Sequence, residues 1–251
     1  MIKKALIIPD THRPFHHRKA YSIMMEAAYH TGVDEVVILG DYADFYSVSR
    51  HRKDPRVGTL IDEEIDSVRS GLDEIDACFP QAKKVFLEGN HEYRLESFLI
   101  DQAPAVFGSR HIVTEVKHLF GLHDRPNWTY VPFGRAQSYR ILGAELFAFH
   151  RPKASVPRSH IAKVFVSSIY GDVHKIERAH AVGLDGRHLV SVCPGWLGDV
   201  ASRVFDYMPG VPQWQLGFAI VSIEETSRDF FIDTFEIKNN RALVFGKEFR
   251  A

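Results

Sequence analysis

Apolar residues recur along the chain in short runs that are rich in β-branched side chains and bounded by polar or turn-forming residues. Runs of this length and composition are typical of β-strands. The predicted strands are Ala5–Ile8, Val36–Leu39, Lys84–Leu87, Leu146–Phe149, Val166–Ile169, His188–Val192, Phe218–Ile223, Phe230–Phe235 and Ala242–Phe245. The pattern therefore predicts a protein whose core is built mainly from sheets.

Two stretches between the first three strands have helical spacing instead. They are Lys19–His30 and Ile61–Cys78, and in the second the apolar residues recur every three or four positions. Alternating strands and helices predict a parallel sheet, whereas the closely spaced strands of the final third predict antiparallel pairing in a second sheet packed on the first. The expected fold class is α/β, a four-layer α/β/β/α sandwich with two packed mixed β-sheets.

Composition adds limits to this picture. Hydrophobic residues make up 45% and charged residues 25% of the 251 residues, as in soluble globular proteins. Because there is no repeat or Gly/Ser-rich linker, we expect a single domain spanning residues 1–251. No apolar run approaches the ~20 residues that a membrane span needs, and the first run leads directly into polar residues rather than a signal cleavage site. We therefore expect no membrane association.

Charge and cysteine content bear on compartment and partners. Two cysteines are too few for a disulfide framework, so a reducing cytoplasm is the expected location. The formal net charge of -1 supplies no global attraction to nucleic acid, although it leaves room for a local basic patch. The oligomeric state is left open by the sequence.

Side chains suited to metal coordination follow several predicted strands. They are Asp10 and His12, Asp41, Asn90, His150, and Asp172 with His174. Loops at the carboxyl ends of neighbouring strands converge at one edge of an open α/β sheet, which predicts that these residues share a pocket. Mixed carboxylate, amide and imidazole donors without thiolates suit divalent ions, with Mn²⁺ preferred here and Fe²⁺, Zn²⁺ or Ni²⁺ as alternatives.

A centre with two metal ions is the form that suits hydrolysis of a phosphate ester. A carboxylate has two oxygens and can bridge two cations ~3.5–4 Å apart, the separation that holds both the attacking and the leaving oxygen in phosphoryl transfer. Asp41, in the middle of the series, is the candidate bridge.

The motifs Asp10-x-His12, Gly40-Asp41-x-x-Asp44, Gly89-Asn90-His91-Glu92, His150 and Gly171-x-x-His174 occur in this order over residues 8–175. This series resembles the signature of the calcineurin-like metallophosphoesterase superfamily. The resemblance implies the calcineurin-like fold, and an active site in which Asp10, His12 and His174 hold one metal ion.

For the rest of the site, the resemblance implies that Asn90 and His150 hold the second metal ion and that Asp41 bridges the two. A water or hydroxide between the ions would attack phosphorus, because two cations lower the pKa of such a water. His91 would be the catalytic histidine, which protonates the leaving oxygen or stabilises charge on the phosphoryl group without binding metal.

Two positions depart from the superfamily pattern. The last motif usually reads Gly-His-x-His, and its first histidine binds the second metal, whereas this chain has Asp172 there. In addition, Arg151 and Pro152 follow His150 where glycine is common. Two alternatives remain for Asp172: it coordinates the second metal ion, or that site is weak and fills only together with substrate.

Neighbouring polar residues have two interpretations each. Asp44 is expected to hold a metal ligand in place rather than to touch metal, and Glu92 to cap the helix that opens at His91 or to orient that histidine. Arg94 either reaches a phosphate or faces solvent, and His16 and His17 either contact substrate or belong to an ordinary surface loop.

Residues 40–50 and 89–96 together are similar to a phage-encoded branch of the superfamily, which points to nucleotides or nucleic acid as substrate. Protein serine/threonine phosphatases carry arginine and glycine directly after the second aspartate of this motif, where the chain has Phe45 and Tyr46. The leading hypothesis is a nucleotide phosphatase or phosphodiesterase. The alternative is a catalytically weak relative that binds metal or nucleic acid, against which the retained His91 argues.

Overall fold

The structure is a computed structural model that describes residues 1–51, 53–109, 111–206 and 212–251. Its strands are β1 (Ile2–Ile8), β2 (Glu35–Ile38), β3 (Lys83–Leu87), β4 (Trp128–Val131), β5 (Tyr139–Arg140), β6 (Leu146–Phe149), β7 (Ser167–Tyr170), β8 (Ile176–Val182), β9 (His188–Pro194), β10 (Gly217–Glu224), β11 (Phe230–Glu236), β12 (Arg241–Val244) and β13 (Lys247–Arg250). Its α-helices are α1 (Arg18–Thr31), α2 (Ile61–Cys78), α3 (Tyr93–Gln102), α4 (Val116–Leu119) and α5 (Pro157–Val164).

The strands form two mixed sheets and one separate hairpin. The first sheet has the order β11-β10-β1-β2-β3-β4, with parallel pairing from β1 to β4 and antiparallel pairing of β10 to β1 and of β11 to β10. The second has the order β5-β6-β7-β9-β8, in which β6, β7 and β9 are parallel. Strands β12 and β13 pair with each other.

Strand β1 shows how the core is divided between the two faces of the first sheet. Side chains alternate along a strand, and here Ala5 and Ile7 point into one buried cluster while Leu6 and Ile8 point into another. The first cluster also contains Ile169 of β7, so it lies between the sheets. Burial on both faces explains why β1 is apolar without a polar alternation.

Helices cover the outer faces of both sheets. Met24 of α1 and Leu72 of α2 are buried in the same cluster as Leu6 and Ile8, so these helices pack on the first sheet. Helix α5 contacts β8 and β9 of the second sheet. The predicted four-layer α/β/β/α arrangement is confirmed. No helix in the described ranges has both the length and the apolar character that crossing a bilayer requires.

One part of the sheet prediction is wrong. The strands of the final third do not all complete the second sheet, because β10 and β11 extend the first. Strand β10 is apolar on both faces: Phe218 and Ile220 face the helical layer, and Ala219 and Val221 face the other sheet. A doubly buried strand fits beside β1 in the middle of a sheet and would be exposed at an edge.

Candidate metal centre

The metal-binding candidates lie at the facing edges of the two sheets. Loops after β1, β2 and β3 carry Asp10 with His12, Asp41, and Asn90 with His91, whereas loops after β6 and β7 of the second sheet carry His150 and Asp172 with His174. All of these side chains are buried or partly buried. The structure therefore brings together residues that are up to 164 positions apart, from Asp10 to His174.

Asp10, His12 and His174 form the first group of donors. One potential ligand atom of each lies within 4.8 Å of those of the other two. The Nε2 atoms of His12 and His174 are 3.3 Å apart, and His174 Nε2 is 3.6 Å from Asp10 Oδ1. Among the described residues, none donates a hydrogen bond to the buried Asp10 Oδ2. A divalent cation would satisfy this carboxylate oxygen and separate the two imidazole nitrogens.

Asp41, Asn90 and His150 form the second group. His150 Nδ1 lies 2.8 Å from the carbonyl oxygen of Leu39, to which it donates, so Nε2 is left as the ligand atom. That Nε2 lies 2.9 Å from Asn90 Oδ1 and 3.2 Å from Asp41 Oδ1. With no proton on Nε2, this nitrogen and the two oxygens would converge as ligands for a cation. Asp10 also falls within 4.8 Å of Asp41 and His150, so the two groups adjoin.

The pKa shifts of this cluster have the same electrostatic cause. Burial would lower the pKa of His150, but the carboxylate of Asp41 outweighs it and raises that pKa to about 10. Burial would conversely raise the pKa of Asp41, but His150 and His91 hold it well below its usual range. The residues therefore form a strongly charged, water-poor cluster that attracts a proton and would equally attract a cation.

Asp172 is oriented differently from the other candidates. Its backbone N–H donates to Asp10 Oδ1 at 2.9 Å, whereas its carboxylate Oδ2 lies 3.3 Å from Arg151 Nε. Burial, together with Asp41 and Asp10, raises the pKa of Asp172. The two positions that depart from the superfamily pattern are thus in contact with each other.

His91 lies beside the cluster and is held on three sides. Its backbone N–H donates to Asp41 Oδ1 at 2.8 Å, and its Nδ1 lies 3.0 Å from the carbonyl oxygen of Asp44. Arg94 is 2.7 Å from His91 Nε2, and because arginine can only donate, Nε2 is the acceptor and Nδ1 carries the hydrogen. Arg94 also donates to the Asp44 carbonyl, at 3.0 Å, so it faces the centre rather than solvent.

Asp44 connects this histidine to the first group. Its Oδ2 lies 3.0 Å from His12 Nδ1 and 3.3 Å from His91 Nδ1. Burial opposes ionisation, but His91 and His12 hold the pKa of Asp44 far below its usual value. An anionic Asp44 fixes the tautomer of His12 with Nδ1 protonated, which leaves Nε2 directed at His174 and Asp10.

Glu92 joins the second and third loops of the first sheet. Its carboxylate accepts backbone N–H groups from Gly89 at 2.7 Å, Ala43 at 2.8 Å and Asp41 at 3.0 Å. Burial and the adjacent Asp41 raise the pKa of Glu92 to about 8, against the effect of these donors. Of the two roles considered for Glu92, the contacts match neither the helix cap nor a bond to His91: it holds the Asp41 loop against the Asn90 loop.

Close approach of these loops explains two of the motif glycines. A Cβ at Gly89 would lie 2.1 Å from Asp41 Oδ1, and a Cβ at Gly40, where φ is +98°, would lie 2.5 Å from His150 Nδ1. Both positions therefore exclude a side chain. The neighbouring His12, Asp41 and His174 also have positive φ, which is uncommon outside glycine and gathers here around the candidate centre.

An aromatic wall beside the first group was not predicted. The ring of Trp196 stacks on that of His174 with centroids 5.0 Å apart, and Trp214 meets the same histidine edge-on at 4.7 Å. Phe205 packs against Trp196 and His12. The sequence holds one signal for this wall: Trp196 follows the predicted strand His188–Val192, whose carboxyl end is at the same edge of the second sheet as His174.

His16 and His17 lie apart from this cluster. His17 Nδ1 accepts the backbone N–H of Ala20 at 3.1 Å and so caps α1. Both histidines line a cavity of about 450 Å³ together with Lys19 and Asp199, and that cavity is lined by none of the clustered residues. Their contact with substrate stays a prediction.

Comparison with known proteins agrees with the motif series. The calcineurin-like phosphoesterase family matches residues 3–165. No curated protein matches the chain significantly. Among solved structures, the chain is similar to a single mutant of Vps29 from Entamoeba histolytica (15% identity, 99% of this chain and 98% of that one, TM-score 0.42).

It is also similar to Vps29 from Chaetomium thermophilum (10% identity, 94% of this chain and 86% of that one, TM-score 0.45) and to vacuolar protein sorting 29 from Cryptosporidium parvum (11% identity, 100% and 96%, TM-score 0.44). Similarity at this level says nothing about activity. The family match does carry weight, because it spans more than half of the sequence and includes the loops that hold Asp10, Asp41, Asn90 and His150. The chain belongs to the calcineurin-like phosphoesterase family.

Proposed function

We propose that the protein is a phosphoric ester hydrolase that uses two divalent cations, Mn²⁺ above all, and acts on nucleotides or nucleic acid. One observation carries the proposal: two adjoining groups of buried or partly buried donors meet at the carboxylate of Asp10, and in the described part of the chain Asp10 Oδ2 receives no hydrogen bond. Nitrogen and oxygen donors of this kind suit Mn²⁺, Fe²⁺, Zn²⁺ or Ni²⁺.

In this proposal the two groups hold one cation each. Asp10, His12 and His174 hold the first, Asn90 and His150 hold the second, and Asp41 lies between them. Two bound cations would neutralise the phosphate, align it and lower the pKa of a water molecule. The protein contributes a rigid donor set, because Asp44 fixes the ring of His12 and the carbonyl of Leu39 fixes that of His150.

His91 and Arg94 act on the substrate from the open side. Arg94 donates to His91 Nε2 in this structure, so Nε2 carries no hydrogen, and His91 can protonate a leaving oxygen only after Arg94 releases Nε2 and Nε2 takes up a proton from water. Phosphoryl oxygens offer Arg94 a better partner than a neutral imidazole. Substrate binding would therefore move Arg94 onto the phosphate and free His91 Nε2, which could then take up a proton from water and pass it to the leaving oxygen.

The substrate class rests on the similarity of residues 40–50 and 89–96 to the phage-encoded branch of the superfamily. Phe45, which a phosphoprotein phosphatase would replace by arginine, is buried and stacks on Phe120 with ring centroids 5.8 Å apart. It therefore packs the core and offers no charge to a phosphoprotein. Nucleotide monoesters and nucleic-acid diesters remain the two candidate substrates.

Hydrolysis of p-nitrophenyl phosphate and bis-p-nitrophenyl phosphate tests the activity. We expect chelator-treated protein to be inactive and to recover with Mn²⁺. Activity on the first compound indicates a monoesterase and activity on the second a diesterase. Asp41→Asn and His91→Asn should each lower the rate by on the order of 10²–10⁴-fold, as expected for loss of a metal-bridging carboxylate or a proton donor.

His188→Asn is the matched control, because His188 is exposed and remote from the centre. It should keep the wild-type rate. A protein that binds Mn²⁺ yet hydrolyses neither compound, nor any member of a nucleotide and DNA panel, would contradict the proposed activity and favour the binding-only relative.

A further inference from the structure

A second cavity, of about 490 Å³, opens beside His150. We call it the basic aromatic pocket, and it is lined among others by Tyr93, Phe133, Arg135, Arg151 and Lys153. Its volume falls in the ~300–1,000 Å³ range of small-molecule sites. None of these residues has a part in the proposed metal centre, and the formal net charge of -1 makes three clustered cations noteworthy.

Two aromatic rings form the apolar side of the pocket. The centroids of Tyr93 and Phe133 are 5.4 Å apart, with ring planes inclined by 37°. Phe133 in turn lies 6.2 Å from the ring of His150. An aromatic surface that reaches a metal-ligand candidate can stack a planar base next to a phosphate bound at the centre.

One of the three cations of the pocket, Arg151, is paired with Asp172. Arg151 is 61% exposed at its side chain and has Nε 3.3 Å from Asp172 Oδ2. One edge of the guanidinium is thereby fixed, and its other N–H groups are left for a ligand. Arginine held in this way is suited to binding a phosphate through two parallel hydrogen bonds.

Hydrogen bonds from the core to the surface connect the walls of the pocket. Gln137 donates to the carbonyl oxygen of Glu88 at 2.7 Å and accepts the backbone N–H of His150 at 3.1 Å. Phe133 donates its own N–H to Glu88 Oε2 at 2.8 Å, and Lys153 Nζ donates to the carbonyl oxygen of Arg135 at 3.2 Å. Walls that are already held in place lose less conformational entropy when a ligand binds.

We propose that the basic aromatic pocket binds a nucleotide unit through its base and through a phosphate other than the one at the metal centre, and that Asp172 positions Arg151 for that phosphate. The inference rests on the proposed function in that it names the substrate part next to the hydrolysed ester. Asp172 and Arg151, which both depart from the superfamily pattern, then have one explanation: the Asp172 carboxylate orients Arg151 instead of binding the second metal ion.

Calorimetric titration with Mn²⁺ tests the role of Asp172 without reference to activity. We expect Asp172→Asn to bind as many Mn²⁺ ions as the wild type, with affinities within about twofold, because no ligand is lost. Asparagine also tolerates the positive φ of 66° at this position. His150→Asn should lose one ion. Loss of an ion in Asp172→Asn would overturn the proposal, since Asp172 would then be a metal ligand.

Nucleotide binding to chelator-treated protein tests the pocket itself. The probes are fluorescently labelled adenosine triphosphate and a labelled thymidylate hexamer, which distinguish a free nucleotide from a strand. Arg151→Gln should weaken binding of the preferred probe by about tenfold, the loss expected for a charge-assisted phosphate contact. Arg158→Gln removes the same charge from an exposed site on α5 and should change nothing.

A double variant separates positioning from general damage. Asp172→Asn should weaken binding by about threefold alone and add nothing in the Arg151→Gln background, because the two residues act as one unit. In the active enzyme, Asp172→Asn should change KM for the nucleotide more than kcat. Independent, additive losses would overturn the positioning role.

Stacking is tested by Phe133→Leu, which keeps an apolar side chain and removes the ring. Affinity for the preferred probe should fall by about tenfold, whereas affinity for ribose 5-phosphate should stay the same. Two results would overturn the proposal that the pocket binds a nucleotide. One is that neither labelled probe binds, and the other is that both bind equally well to the wild type, Arg151→Gln and Phe133→Leu. Because these measurements are made without metal and without turnover, they test nucleotide binding in the pocket even if the protein hydrolyses no phosphate ester.

Discussion

At the scale of single residues, much of the candidate centre depends on groups that hold a ligand in place. Glu92 is the clearest of these, since its two oxygens accept three backbone N–H groups from two loops. Oε2 accepts the N–H groups of Asp41 and Gly89, and Oε1 accepts that of Ala43. Both positions therefore need an acceptor oxygen, which an amide supplies at only one of them.

Glu92→Gln should consequently lower the free energy of unfolding by about 2–3 kcal/mol, because the new NH₂ group faces a buried N–H. Denaturant unfolding in the presence of chelator measures this loss without any contribution from bound metal. The control is Glu96→Gln, one turn further along α3 at a half-buried position, where the change should stay within about 0.5 kcal/mol. Equal losses in both variants would show that Glu92 does not hold the loops.

The sequence predicted the donors of this centre because each follows an apolar run and has a characteristic chemical type. It could not predict how they are used. The sequence left two roles open for Arg94, contact with a phosphate or exposure to solvent. Only the fold shows that its guanidinium group donates to His91 Nε2. Trp214 has no motif around it and reaches His174 only through the folding of separate chain segments. Contacts between distant loops do not leave a periodic pattern in a sequence.

At the scale of secondary structure, long apolar runs were predictable and short or half-exposed elements were not. Each predicted strand overlaps an observed one, and α2 has the predicted bounds Ile61–Cys78. Strands β4, β5, β8 and β13 were missed because their residues are mostly half-buried or exposed and give no run of apolar side chains. The sheet that β10 joins could not be derived either, since pairing partners depend on burial of both faces in three dimensions.

An ion pair between a buried lysine and a partly exposed aspartate connects α2 to β3 of the first sheet. Lys84 of β3 is 1% exposed at its side chain, and its Nζ is 3.2 Å from Asp76 Oδ1. Asp76 also accepts hydrogen bonds from Trp128 Nε1, at 2.9 Å, and from Arg125. The aspartate thus has other partners, whereas no other carboxylate of the described residues pairs with the buried ammonium.

Removal of the two partners should have unequal effects. Asp76→Ala leaves a charged Lys84 buried without its carboxylate and should cost about 3 kcal/mol, whereas Lys84→Met should cost less than about 1 kcal/mol. Urea denaturation of both variants gives the comparison. Similar losses would show that the pair contributes through packing and not through charge.

Helix α5 is attached to the second sheet through His160. Its Nδ1 accepts the backbone N–H of Lys153 at 3.0 Å, so Nε2 carries the hydrogen and donates to Ser168 Oγ at 3.1 Å. Burial, aided by Lys153, lowers the pKa of His160 to about 4 from its ordinary 6.5. The unfolded chain therefore binds a proton in the interval between these values, and the folded protein does not.

Stability contributed by a neutral His160 should accordingly be complete above pH about 6.5 and fall as the pH drops toward about 4, by about 2–3 kcal/mol in total. The measurement is the difference in unfolding free energy between wild type and His160→Gln as a function of pH, which cancels other titrating groups. A flat curve for His160→Gln would contradict this assignment.

At the scale of the whole molecule, the candidate centre lies between the sheets and draws donors from both. Asp10, Asp41 and Asn90 come from the first sheet, and His150 and His174 from the second. A bound cation would therefore join the two sheets by coordinate bonds at the edge of their shared core. Metal should then affect the stability of the entire fold and not only that of the loops.

Mn²⁺ at about 100 times its dissociation constant should add about 2.7 kcal/mol and raise Tm by about 5 °C, because the cation binds only the folded state. Scanning calorimetry with and without chelator measures the shift. Asp41→Asn should lose it, and Asp124→Asn, whose side chain is 79% exposed, should keep it. A shift that survives Asp41→Asn would mean that the stabilising cation binds elsewhere.

The position of β1 also has a consequence for biosynthesis. It pairs with β2 on one side and with β10, more than 200 residues later, on the other. Asp10 and His12 directly follow β1, so their backbone acquires its final support only after residue 224 has left the ribosome. A nascent chain would hold every donor of the centre well before it can arrange them, and metal capture becomes one of the last events in maturation.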